Sequence, residues 1–261
     1  MNQMKTIIKK AGILYMALSF GLTSCETFDF GQEMGQKVIC IISDDDLVFT
    51  GMHDLNEPES TGYISVNCGG SLHIDRDVEV VMEYSPEVLA QYNKSKYDID
   101  EEKYAKELDS RYYTIPEMRV TLKASSADTY DTMPIRVRPE GLSPDSIYFI
   151  PLRIRSVSAY SVNPDKSQVL YRVYMKNLYA RSDEASIYNA TGTTQKDGEN
   201  EVEAAASQTF HPLTKNTFRI FAGIKGYETD ADVIRKNGII VQVNEDHSLT
   251  MRPYDEDSIE V

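Results

Sequence analysis

Tryptophan is absent from the 261-residue sequence, and cysteine and histidine are scarce, at three and four residues. Without indole, the largest face on which a sugar ring could stack is missing, and that work is left to 17 tyrosines and 8 phenylalanines. The histidines, His53, His73, His211 and His247, are scattered, and none sits in HExxH or another close ligand spacing. No zinc or copper site is therefore written in the sequence, and they read as surface or turn residues. Neither a GxSxG elbow, a Walker loop nor a GxGxxG after a strand occurs, so serine-hydrolase and nucleotide-dependent chemistry lose their usual signatures and no cofactor is expected. Basic charge is also short. With 27 Lys+Arg against 41 Asp+Glu the chain carries −14, a balance that repels phosphate backbones and disfavours nucleic acid as a partner.

Long apolar runs are missing too, apart from one at the start. Met1–Lys10 carries Lys5, Lys9 and Lys10 without an acid, and Ala11–Leu22 is almost wholly apolar before Thr23, Ser24 and Cys25. Twelve residues at about 1.5 Å each fall well short of a hydrocarbon core of roughly 30 Å, so residues 1–24 read as a signal peptide rather than a membrane span. The ending Leu22-Thr23-Ser24-Cys25 resembles a bacterial lipobox, which makes Cys25 the expected lipid attachment site. An ordinary cleavage site beside a cysteine is the plainer alternative. Several acyl chains, at about 0.8 kcal/mol per buried CH₂, hold a protein to a membrane where one does not. Removing residues 1–24, with three lysines and no acid, takes the charge from −14 to −17, so the lipid rather than a basic patch must do the holding. Cys40 and Cys68 lie in apolar, strand-like runs and read equally as two buried thiols or one disulfide.

Residues 25–36 (CETFDFGQEMGQ) read as an acidic tether. From Lys37 to residue 180 the signal is alternation: Ile64, Val66, Cys68; Val78, Val80, Met82, Tyr84; Val120 and Leu122; Ile135 and Val137; Val169, Tyr171, Val173 and Met175. Half-buried strands follow from that period of two, and their number and spacing describe an antiparallel β-sandwich. Pro151 inside one run hints at an edge or a bulge. Ser85-Pro86-Glu87 starts a helix, and Asp100-Glu101-Glu102 a second with Glu102 and Lys106 at i,i+4, the two forming a short helical crossover. Residues 181–200 are polar and read as a linker. Residues 201–261 hold strand candidates at Glu201–Ser207, Phe218–Ile224, Ile239–Val243 and Leu249–Pro253, with Asn237-Gly238 and Glu245-Asp246-His247 as turns, a second and smaller antiparallel β domain. The fold class is thus all-β.

Paired carboxylates carry glycosidic hydrolysis and also ligate calcium, which makes the acidic clusters candidate sites. Asp44-Asp45-Asp46 lacks staggered ligand spacing and reads as a solvated turn. Asp98-Ile99-Asp100-Glu101-Glu102 faintly resembles a DxDxE signature but precedes a helix start, where acids complement the helix dipole. Asp255-Glu256-Asp257 reads as frayed surface. Four aromatics in or near turns of the second region, Tyr188, Phe210, Tyr227 and Tyr254, are the candidate ligand-binding residues, because an exposed ring can stack on the C–H face of a sugar. Each alone is as readily a packing residue.

Several segments together carry a family resemblance: Val78–Asn93 (VEVVMEYSPEVLAQYN), Tyr112–Leu122 (YYTIPEMRVTL), Ser143–Ser156 (SPDSIYFIPLRIRS), Asn216–Ile224 (NTFRIFAGI) and Ser248–Tyr254 (SLTMRPY). The chain resembles the two-domain surface lipoproteins of Bacteroidetes polysaccharide-utilisation loci, in which an immunoglobulin-like N-terminal domain of formerly unknown function precedes a second β domain. The resemblance implies an outer-membrane, surface-exposed, lipid-anchored protein that binds or presents a polysaccharide or oligosaccharide beside an importer, without catalysis. Glu26 and Asp29 resemble the export signal of that group. It also implies further strands beyond position 261, which would leave the second domain incomplete. The rival expectations are a glycoside hydrolase, which needs two carboxylates about 5 to 9.5 Å apart across one cleft, and a structural or adhesive subunit.

Overall fold

The computed structural model describes residues 35–183, 186–195, 198–223, 225–226 and 228–256. Lys37–Gly69 and His73–Val261 form one compact unit. The expected signal peptide, Cys25 and most of the expected tether lie outside the described residues.

In chain order the first part of that unit contains β1 (Val38–Ile41), β2 (Val48–Asp54), β3 (Ser60–Gly69), β4 (Val78–Tyr84), α1 (Pro86–Tyr97), β5 (Lys106–Glu107), β6 (Tyr113–Thr114), β7 (Arg119–Leu122), β8 (Tyr130–Val137), β9 (Tyr148–Val157), β10 (Ser161–Val162) and β11 (Gln168–Lys176). They make two sheets, ordered β10-β1-β3-β8-β6 and β2-β11-β9-β4-β7, with β5 added on β9. The alternating residues read from the sequence close one core between them: Ile39, Ile64, Val66 and Ile135 from the first sheet meet Val80, Met82, Val120, Leu152 and Tyr171 from the second, each under 4% exposed. Most ladders are antiparallel, but β1–β10, β2–β11 and β5–β9 are parallel, an arrangement that alternation alone does not reveal.

Strand β9 is central rather than an edge, yet it contains Pro151. The reason is local. The carbonyls of Ile147, Phe149 and Pro151 face the same side, accepting from Lys106, Leu108 and Ser85. In an antiparallel strand a residue's N–H and C=O share a side, so the missing N–H of Pro151 points into the gap between the end of β4 and the start of β5. Helix α1 lies over the outer face of that sheet, where Val88, Leu89 and Ala105 pack on Phe149 and Leu170. The expected N-cap does not form: the Ser85 hydroxyl donates to the Glu87 carboxylate at 2.9 Å instead of accepting from a backbone amide.

The second expected helix is corrected. Glu101–Lys103 make only a 3-10 turn, and the chain then runs extended as β5, because the Lys106 and Leu108 amides are taken by β9 and the Leu108 side chain is buried. Lys103 pairs with Asp100 at 2.7 Å, in place of the expected Glu102–Lys106 pair.

The second region builds a third sheet, ordered β12-β13-β14-β15-β16, from β12 (Ser186–Thr194), β13 (Val202–Thr214), β14 (Thr217–Phe221), β15 (Gly238–Val243) and β16 (Leu249–Pro253). The stretch expected as a linker, 181–200, therefore contains a nine-residue strand paired with β13 from Ser186↔Phe210 to Thr194↔Val202. Asn237-Gly238 is not a hairpin turn: a helix unforeseen in the sequence, α2 (Ala231–Asn237), ends there with Asp230 capping the amides of Asp232 and Val233. Glu245-Asp246-His247 is a turn, with the His247 amide donating to the Asn244 carbonyl at 3.0 Å.

Cys40 and Cys68 form no disulfide. Ile39 pairs with Cys68 and Cys40 with Asn67 on adjacent strands, so the thiols project from opposite faces of one sheet and cannot be bridged. Two histidines are also corrected. His53 and His211 are buried, 0% and 7% exposed, rather than on the surface.

Candidate functional site

A cleft of about 770 Å³ lies between the loops of the sandwich and the α2 side of the third sheet. One wall is Tyr97, Glu102, Lys103, Tyr104 and Lys106, the floor is Ser143, Asp145, Ser146 and Ile147, and the other wall is Thr229, Ala231, Ile234, Arg235 and Tyr254. Its size suits an oligosaccharide-sized ligand. Its lining mixes aromatic faces with ionic and hydroxyl groups, the combination that holds a ligand with both C–H faces and hydroxyls.

Local structure sets each wall. Asn93, buried on α1, donates to the Ala105 carbonyl and accepts from the Ala105 amide, both at 2.9 Å, and so pins the segment after the helix back onto it. Within that loop Tyr104 donates to the Asp98 carbonyl at 2.6 Å, and its ring lies 6.4 Å from that of Tyr97. Lys106 reaches across to the Ser146 hydroxyl at 3.1 Å. The floor is tied to the third sheet by one ion pair: Arg219 on β14, 0% exposed, donates to both oxygens of Asp145 at 2.5 and 2.7 Å. Its guanidinium lies 5.5 Å from the Tyr254 ring centroid. Burial first, and then the Arg219 charge, push the His211 imidazole down to about 4, against a partial opposing pull from Asp145. Asn177 donates to the carbonyls of Thr214 and Thr217 and accepts from the amides of Tyr179 and Ala180, stitching the end of β11 to the β13–β14 turn.

Of the aromatics expected to form a site, Tyr188 and Phe210 meet, while Tyr254 lies apart from them. Tyr254 lines the cleft. Tyr188 and Phe210 sit on strands β12 and β13 rather than in turns, stacked at 4.0 Å, and Phe210 continues onto Phe218 at 4.2 Å. Phe210 thus packs the small core around Ala180, Phe218 and Val241. Tyr188, 45% exposed, instead borders a second, shallower hollow of about 450 Å³ with Asn177, Leu178 and Arg181. Tyr227 lies outside the described residues. Of the acidic clusters, among the described residues, only Glu102 reaches the cleft. Asp44 folds into a turn by accepting from the amides of Asp46 and Val48. Among the described residues no group of three or more His, Cys, Asp or Glu could hold a metal ion, and no helix is long and apolar enough to cross a membrane. The sequence gives no cue that Tyr97 and Lys106 share a cleft with Asp145 and Arg235, which lie far along the chain from them.

A family model described as an N-terminal domain matches residues 36–161, and one described as C-terminal matches residues 167–261. The chain matches both in tandem. No curated protein matches it. Among solved structures, a Bacteroides ovatus protein of unknown function superposes with a TM-score of 0.67 at 18% identity, covering 85% of this chain and 74% of that one. A multidomain protein of the same organism gives 0.63 at 19% identity, over 85% and 73%. A Bacteroides thetaiotaomicron protein described as an auxiliary nutrient binding protein gives 0.60 at 16% identity, over 82% and 72%. At these identities the shared property is the fold, an all-β two-domain architecture common to a group of Bacteroides proteins.

Proposed function

We propose that this chain is a lipid-anchored protein of the outer membrane, exposed at the cell surface, which holds an oligosaccharide segment of a polysaccharide in the cleft and presents it to an uptake system without cleaving it. The cleft carries this reading: three tyrosines, Tyr97, Tyr104 and Tyr254, share one concave surface with Lys103, Lys106, Arg235 and the hydroxyls of Ser143 and Ser146. The lipobox-like Leu22–Cys25 and the acidic tether support the address, and the described role of the Bacteroides thetaiotaomicron relative supports a nutrient as ligand. Against hydrolysis stands the engagement of Asp145, both of whose oxygens accept from a fully buried arginine. A carboxylate with both oxygens so engaged is not free to reach a bound ligand.

The test is binding of the purified protein to a panel of soluble plant, yeast and host polysaccharides, by retardation in affinity gels and by calorimetry. Binding to at least one member is expected, weakened about tenfold or more, or about 1.4 kcal/mol, by Tyr104→Ala or Tyr254→Ala. Failure to bind any member sinks the ligand assignment, and release of reducing sugar from the bound member would replace it with hydrolysis. The address is checked by mass spectrometry of the native protein, which should show an acylated cysteine at position 25 as its N-terminus.

A further inference from the structure

Most of the charges that line the cleft are already matched by a neighbour. Lys103 is met by Asp100 at 2.7 Å, Arg235 by Asp232, and Asp145 by the buried Arg219. One cation is left over. Among the described residues Lys106 pairs with no carboxylate, although acids outnumber bases in the chain by 41 to 27, and its ammonium donates instead to the Ser146 hydroxyl at 3.1 Å. The backbone fixes this arrangement. The Lys106 amide donates to the Ile147 carbonyl at 2.7 Å, the Ser146 amide to the Ser143 carbonyl at 3.3 Å, and Asn93 clamps Ala105 on the other side. A hydroxyl that accepts from an ammonium keeps its own hydrogen, and Ser146 gives that hydrogen to no described residue. Two donors, one of them charged, therefore stand side by side in a cleft that also offers Tyr97, Tyr104 and Tyr254.

We propose that the ligand of this cleft is an acidic oligosaccharide, in which the carboxylate of a uronic acid residue accepts from the Lys106 ammonium with one oxygen and from the Ser146 hydroxyl with the other. The proposal rests on the cleft being the glycan site and names the class of glycan. A neutral sugar is satisfied by hydroxyls and tyrosine faces and makes no use of an uncompensated ammonium, whereas a carboxylate turns it into a charge-assisted bond, roughly twice as strong as a neutral one. Selection is made by contact rather than by steering. The molecule carries −14 and repels a polyanion at a distance, so the attraction has to arise at this lysine. Glu102, the other charge of the lining with no ionic partner among the described residues, is left to accept from ring hydroxyls.

Calorimetry of the purified full chain tests it with polygalacturonate, alginate and hyaluronan, each beside its methyl ester, and with neutral mannan, arabinan and starch. At least one uronate polymer should bind, and esterification should weaken it about tenfold or more. Lys106→Gln should bind acid and ester alike at an unchanged urea midpoint, and Lys106→Arg should keep the preference for the acid. Neutral polymers bound as tightly as the uronates, an ester bound as tightly as its acid, or a preference that survives Lys106→Gln would each overturn the acidic ligand. In those cases the cleft itself stands as the glycan site if Tyr104→Ala still weakens binding. Failure to bind any polymer removes both readings together.

Discussion

The most demanding residue in the sandwich is Tyr171, whose ring is 0% exposed and whose hydroxyl meets His53 Nε2 at 2.9 Å. Two glycines make room for it. A Cβ at Gly51 would lie 1.8 Å from the hydroxyl oxygen and 2.3 Å from the ring carbon that bears it, and one at Gly62 would lie 1.8 and 3.1 Å away. Either glycine changed to alanine should cost about 2 to 4 kcal/mol by overpacking. Adding Tyr171→Phe should recover part of the loss at Gly62, where only the hydroxyl clashes, and little at Gly51. Urea midpoints of the four variants decide this. The same pair sets a pH response. Burial pushes His53 down to about 4 from 6.5, although its bond to the Ser60 carbonyl pulls the other way. The unfolded chain therefore binds the proton first, so this stability is intact above about pH 6.5 and is lost as pH falls towards 4, by up to about 3 kcal/mol. His53→Gln should flatten the fall in urea midpoint between pH 7 and 5. The sequence placed Tyr171 in the core because it alternates with charged neighbours, but read His53 as surface, because a lone histidine carries no sign of the tyrosine 118 positions away that holds it.

Among the elements, the strands of the sandwich were legible because the period of two is imposed by one buried face, and β9, buried on both, kept a continuous apolar run. The segment from Tyr97 to Glu107 was not. Its acids and lysines suit a helix by spacing, yet the Asn93 side chain and the β9 carbonyls supply partners that an extended chain reaches and a helix does not. Removing that clamp should loosen the loop more than the helix. Asn93→Ala is expected to destabilise the protein by about 2 to 3 kcal/mol through buried groups left unpaired, and to speed hydrogen exchange at Ala105 and Lys106 while the centre of α1 exchanges as before. An equal increase along α1 would contradict this. The strand β12 was missed for a complementary reason: a ribbon open to water on both faces needs no hydrophobic alternation, so SIYNATGTT looks like a loop.

At the scale of the whole molecule, the sandwich and the third sheet are tied by Arg219–Asp145 and by Asn177, none of which has a sequence signature, because each depends on residues brought together from distant strands. The cleft was unreadable for the same reason, with Tyr254 the only one of its residues singled out as a possible ligand contact. Losing either partner of the pair strands a buried group. Asp145→Asn should cost about 3 to 5 kcal/mol, since it leaves a buried guanidinium uncompensated, whereas Arg219→Met with Asp145→Asn should cost less than the two single losses added. Chemical denaturation of the double-mutant cycle measures this, and simple additivity would show that the pair does not couple. The opposed thiols of Cys40 and Cys68 carry a last consequence. Since no sulfur–sulfur bond joins them, folding of these β sheets calls for no oxidising catalyst, and the folded body should melt at the same temperature with or without dithiothreitol, in a reducing cytosol as readily as in an oxidising compartment.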